Sequence, residues 1–205
     1  MTTPRSKRSP GRPKGNVDQP SMRDKVLNTA SVLFMELGYE PVSINMIAER
    51  AGVTKASVYY YFTNKAVLFT TSVTEMMARI CFFTQRIIDA HPDIRTRLEQ
   101  IAFTKMSKSH VEFESLMREA IPFLTVEQRD DIRLAEHKIH EVMAATFRQA
   151  MEAGDIAEGN PMLLAHAFAA LLMIGNREIV GDAEYSPQEL SSAIVGVFWN
   201  GISNR

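Results

Sequence analysis

Apolar positions recur along this chain at the three- and four-residue spacing of amphipathic helices, beginning after Pro20 and rarely interrupted. Val26, Leu27, Ala30, Leu33, Phe34 and Leu37 outline a first helix, and Gly38 follows where a helix C-terminus favours glycine. Ser43 stands where it caps a second, short helix carrying Ile44, Ile47, Ala48 and Ala51, and Gly52 then permits a left-handed turn. Thr54 caps a third helix with Val58, Tyr61 and Phe62 on it. Two short helices joined by a tight glycine-containing turn make a helix-turn-helix. Asn64 opens a long fourth helix from Lys65 to about Ala90, ended at His91-Pro92 because the residue before proline disfavours helical geometry. Further helices are expected over about 93–110, 112–121, 125–153, 161–180 and 187–202. Their starts are marked by Thr125 with Gln128, by Asn160 before Pro161, and by Ser186 before Pro187 with Glu189. No strand alternation or internal repeat is visible. The pattern predicts an all-α protein of about nine helices, divided into a 1–20 arm, a 21–66 head and a 67–205 helical body.

The composition agrees with a folded chain: 205 residues, 45% hydrophobic and 23% charged, hold enough apolar surface for a core. The lone Cys81 allows no internal disulfide and no thiolate zinc cluster, which suits a reducing cytoplasm. The N-terminus lacks an apolar export segment, and the apolar stretch around 163–175 is too short to cross a bilayer. The expectation is therefore a cytoplasmic protein with no membrane partner.

The net charge of −1 hides an uneven distribution. Residues 1–69 carry ten Lys or Arg against five Asp or Glu, while the remainder is acidic, so the N-terminal third is the part suited to a polyanion. Arg5, Lys7, Arg8, Arg12 and Lys14 form a basic arm with no acid in the first fifteen residues. Enzymatic classes find no support: there is no glycine-rich phosphate loop, no nucleophile elbow and no strand framework, and no cofactor is expected. His137 and His140 lie on one helix with Glu136 and Glu141 beside them. With no thiol or third histidine nearby to complete a ligand set, they read as a surface pair and not as a metal site.

Leu37-Gly38-Tyr39, the run from Ile47 to Val53 and the run from Tyr59 to Lys65 together resemble the TetR family of transcriptional regulators, over about residues 23–68. A generic trihelix reproduces the apolar positions but not the Ala-Gly-Val turn, the tyrosines before Phe62 or the Asn-Lys after it. Thr54, Lys55, Ala56 and Ser57 form the first turn of the recognition helix. Ala56 allows close approach and contact with a thymine methyl, Ser57 can bond several base edges, and Lys55 reaches a phosphate or a guanine. The resemblance implies phosphate-binding roles for Tyr59 and Tyr60, a place near the backbone for Ser43, and a base or phosphate for Asn45. It also implies a phosphate contact for Lys65. Tyr61 and Phe62 are expected to pack inside the head, and Tyr60 to face outward first among the three tyrosines. In the arm, Pro10 to Lys14 resembles a minor-groove hook with Arg12 as its arginine. Minor-groove reading and a nonspecific electrostatic arm both remain open.

For the body, the resemblance implies a homodimer whose interface is built from the last two helices, with Leu164, Phe168, Leu171, Leu190, Ile194, Val197 and Phe198 as candidates. Completion of the monomer's own core is the alternative for each. It also implies a cavity for a small apolar effector, with Met77, Phe103, Met106, Phe113, Met117, Met143 and Phe147 as candidate lining, although any helical core contains such residues. The expected function is a sequence-specific repressor released from operator DNA by that effector. A metal-responsive regulator and a DNA-binding protein without an effector are the alternatives.

Overall fold

The computed structural model describes residues 21–107, 113–173 and 185–203. Among them are nine α-helices and no strand beyond one isolated antiparallel bridge between Ile156 and Ser203. Helix α1 (Met22–Leu37) starts on a reciprocal cap: Ser21 Oγ accepts the Asp24 N–H at 3.1 Å, and the Asp24 carboxylate accepts the Ser21 N–H. Helices α2 (Ile44–Ala51) and α3 (Lys55–Tyr61) begin on Ser43 and Thr54, with Gly52 left-handed between them at φ 67°, ψ 35°. Asn64 Oδ1 accepts the Val67 N–H and opens α4 (Lys65–Ala90), which ends at His91 as its Pro92 requires.

The body contains α5 (Ile94–Met106), α6 (Phe113–Ala120), α7 (Val126–Glu152), α8 (Pro161–Leu172) and α9 (Pro187–Ile202). Thr125 with Gln128 and Ser186 with Glu189 form the two capping boxes, and Asn160 Oδ1 accepts from Met162 and Leu163. Helix α5 stops short of the expected 110, where both the N–H and the hydroxyl of Ser107 bond the Phe103 carbonyl. Helix α6 gives way to a 3-10 turn (Ile121–Phe123) because Pro122 has no N–H to continue the α ladder. The expected 174–180 portion of α8 lies outside the described residues.

Helices α4 and α7 pack along each other at the centre. Helix α1 lies on α4, α8 on α7, and α9 on α5. By length and composition α4 is apolar enough to cross a membrane, but it is packed here as the strut joining head to body.

The apolar interior forms two clusters. The first holds Val26, Leu27 and Phe34 of α1, Ile47 of α2, Val58 of α3, and Leu68 and Phe69 of α4. It also includes Leu116 and Ala120 of α6, Leu124, and Ile132 of α7. Three short helices bury little surface by themselves, so the body supplies the rest of the head's core. The second contains Leu98, Phe147, Phe168, Val195 and Phe198. Phe198 lies 5.2 Å from Phe168 and 5.7 Å from Phe147 between ring centroids.

That second cluster corrects the expected dimer face. Phe168, Ile194 and Phe198 are buried inside the subunit, because the side of α8 and α9 that carries them packs against α5 and α7. Leu164, Leu171 and Leu190 are half-buried against the same cluster, whereas Val197 is 69% exposed.

Candidate nucleic-acid interface

The recognition segment starts from the hydroxyl pair that caps it. Thr54 Oγ1 accepts the Ser57 N–H at 3.1 Å and lies 2.8 Å from Ser57 Oγ, which fixes the first turn of α3. Val58 is fully buried beneath that turn, so the remaining side chains are held outward on a rigid base. Thr54, Lys55 and Ala56 are exposed and Ser57 is half-buried. Tyr60 is 83% exposed and Tyr59 is exposed too, with Lys55 Nζ 5.9 Å from the Tyr59 ring centroid. Ser43 and Asn45 are also exposed, at the start of α2, where Ser43 Oγ accepts the Met46 N–H.

Two expectations need adjustment. Phe62 is buried beneath the Arg23 guanidinium, but Tyr61 is exposed and lies edge-on to Tyr60 at 5.0 Å. The ring buried at the end of α3 is Phe62, whose backbone has already left the helix for an extended conformation. Lys65 is half-buried: its Nζ donates to the Glu40 carbonyl at 3.1 Å and lies 4.3 Å from the Tyr39 ring centroid. Burial pulls its ammonium below the usual lysine range, against the opposing fields of Glu40 and Glu119. Arg12 and the rest of the basic arm lie outside the described residues.

Residues 26–71 match the family described as bacterial regulatory proteins, tetR family. The head of this chain is a TetR-family domain. Within the TetR head, 52 residues are 38% identical to the biofilm operon icaADBC HTH-type negative transcriptional regulator IcaR of Staphylococcus aureus strain Newman. That match covers 25% of this chain, and the chain spans about 28% of the length of such curated relatives. Solved structures share the TetR fold over far more of the chain. Reduced Escherichia coli NemR superposes with a TM-score of 0.75 at 16% identity, covering 90% of this chain and 98% of that one. Bacillus subtilis FadR, in complex with stearoyl-CoA, does so at 0.67 and 17% identity, covering 86% and 97%.

The candidate effector residues of the helical body do not gather in one place. Met77 is buried in the head-side cluster, on which Phe113 and Met117 pack. Met143 and Phe147 are buried in the other, with Met106 against it and Phe103 half-buried. An open groove of about 830 Å³ lies instead between α4 and α7, lined by Cys81, Gln85, Leu134, Lys138 and Glu141 among others. Burial raises the Cys81 thiol pKa more strongly than the Lys138 charge lowers it. His140 pairs across helices with His166, a residue the sequence reading did not single out, because no local spacing links α7 to α8. Among the described residues, no three His, Cys, Asp or Glu side chains converge as a metal shell.

Proposed function

We propose that this chain is a cytoplasmic, homodimeric transcriptional repressor. It binds a short two-fold symmetric operator through α3 and is released by a small apolar effector. The observation that carries the reading is the rigid first turn of α3, which offers exposed Thr54, Lys55 and Ala56 with half-buried Ser57 above a buried Val58. Ala56 and Ser57 read base edges in the major groove, and Lys55, Tyr59 and Tyr60 bond phosphates. Ser43 and Asn45 bind the flanking backbone or a neighbouring base. The basic arm adds counterion-releasing charge.

One short helix reads too few base pairs for a specific site, so two-fold pairing supplies the second half-site. The face left for a partner consists of exposed Leu163 and Ala170 on α8 with Ala193, Val197 and Asn200 on α9, flanked by half-buried Ala167, Leu171 and Gly196. These positions recur at helical spacing and half of them are alanine or glycine, which allows close helix approach. An apolar effector is supported by the half-buried Phe113 and Met117 on one core and Met106 on the other, and by the acyl-CoA complex of the FadR neighbour.

The test is to sequence the DNA fragments that the purified full chain retains from a random pool. Recovery of a common inverted repeat supports the reading. Equal retention of all sequences would replace it with nonspecific binding by the arm.

A further inference from the structure

Two histidines meet where α7 packs on α8. His140 of α7 is half-buried, and its imidazole lies 4.1 Å from that of His166 on α8, centroid to centroid, with the rings tilted by 35°. On α7 the neighbouring groups are Glu136 and His137, one turn before His140, with Glu141 held by His137 at 3.5 Å. Glu114 of α6 reaches the group through Glu136. Helix α8 has no other ionisable side chain. The other helices packed on it, α5 and α9, bring Arg95, Arg97, Glu99, Lys105 and Glu189. Of these, Arg95 bonds Glu99, Arg97 the His91 carbonyl, and Glu189 its own cap at Ser186.

His166 is exposed in the subunit, three residues after Leu163 and four before Ala170. It therefore stands on the α7 side of the ridge proposed above to meet a second copy. Two imidazoles this close share protons unequally. The Glu136 carboxylate can balance a first proton, but a second sets like charges against each other at the helix contact. Burial and the fields of His166 and His137 already hold the His140 pKa below its ordinary value. Pairing two copies along the ridge also strips water from His166, and with it the hydration that a second charge needs.

We propose that the contact between His140 and His166 is a proton-sensitive joint between α7 and α8, and that charging both rings loosens α8 and weakens dimerisation through the ridge it carries. The proposal rests on the dimer face above and adds its regulation. The separated subunit takes up protons that the dimer excludes, so association is strongest above the pair's titration and weakens as pH falls through it.

Sedimentation equilibrium of the full-length protein at pH 7.5 and 5.5 reads the link to dimerisation. Hydrogen exchange at the α8 amides, corrected for the intrinsic effect of pH, reads the joint. Wild type is expected to dimerise about 10-fold more weakly at pH 5.5, the effect of one excluded proton over one pH unit. Exchange at Ala165, Phe168 and Leu172, the buried side of α8, is expected to quicken. His166→Gln alters an exposed position and is expected to remove most of both effects, whereas His91→Gln, outside the cluster, leaves them.

A wild-type dimer constant independent of pH, or one that shifts equally in His166→Gln, overturns the link to dimerisation. Unchanged corrected exchange in wild type overturns the joint. If Val197→Lys dimerises like wild type at pH 7.5, the dimer face fails by itself. Loss of the exchange effect in His166→Gln then still supports the joint, and its persistence overturns it.

Discussion

The imidazoles of His140 on α7 and His166 on α8 face each other with ring centroids 4.1 Å apart. Burial first, then the charges of His166 and His137, lower the pKa of His140 from its ordinary 6.5. On the same helix Glu136 is pushed the other way, above 4.5, by burial and by Glu114, with His166 opposing.

These shifts give a pH dependence whose sign can be worked out. A histidine with a depressed folded pKa takes up its proton more readily in the unfolded chain, so stability is lost as pH falls through about 6.5. Glu136 acts oppositely: the folded chain holds its proton at pH values where the unfolded chain has released it, so its contribution rises as pH falls toward 4.5. His140→Gln should therefore reduce the drop in melting temperature between pH 7.5 and 5.5. An equal drop in wild type and variant would show that the pair carries no linked proton.

Two glycines of the head should respond differently to substitution. Gly38 has φ 87° and ψ 178°, a region almost reserved for glycine, and a Cβ there would also displace the Glu119 carboxylate. Gly52 has ordinary left-handed geometry and open space around it. Gly38→Asn should destabilise by about 1–3 kcal/mol, whereas Gly52→Asn should be mild because asparagine tolerates the left-handed region. Chemical denaturation of both variants decides the comparison, and equal losses would contradict it.

The contrast also shows what was legible in the sequence. Caps and glycine turns are local, so Ser43, Gly52, Thr54, Asn64 and the Thr125 and Ser186 boxes could be placed from spacing alone. The exposure of Tyr60 followed because adjacent residues on one helix cannot all face inward. What could not be read depends on partners distant in sequence: Glu119 against Tyr39, His166 against His140, and the body residues Leu116 and Ile132 inside the head's core. For the same reason apolar spacing identified α8 and α9 as helices but did not say which side met the monomer. Phe168, Ile194 and Phe198 belong to its core.

Positioning and reading can be separated on α3. Tyr60 is mostly exposed and makes a ring contact only with Tyr61 among its neighbours' aromatic rings, so Tyr60→Phe removes a hydroxyl without disturbing the core. It should weaken all duplexes alike, by roughly 1 kcal/mol, the net value of one hydrogen bond. Ser57→Ala keeps the backbone N–H that Thr54 accepts, so the cap survives and base preference should change instead. Identical preferences at every operator position would show that the proposed register of α3 is wrong.

Adjacent residues of α9 provide the last test, because Val197 is 69% exposed and Phe198 only 7%. Phe198 packs on Phe147 and Phe168, so Phe198→Ala should cost about 3–5 kcal/mol of folding stability through lost contacts and a residual cavity. Val197 lies in the α8–α9 stripe proposed to meet a second copy. Placing lysine there should leave subunit stability within about 0.5 kcal/mol, since no core contact is lost. In a two-fold interface each substitution enters twice, bringing two like charges into a desolvated contact, so dimerisation should weaken sharply. Sedimentation equilibrium over a range of concentrations measures this, with Leu163→Lys on α8 as the companion variant. Should both lysine variants dimerise with the wild-type constant, the subunits meet on a different surface and the α8–α9 assignment fails.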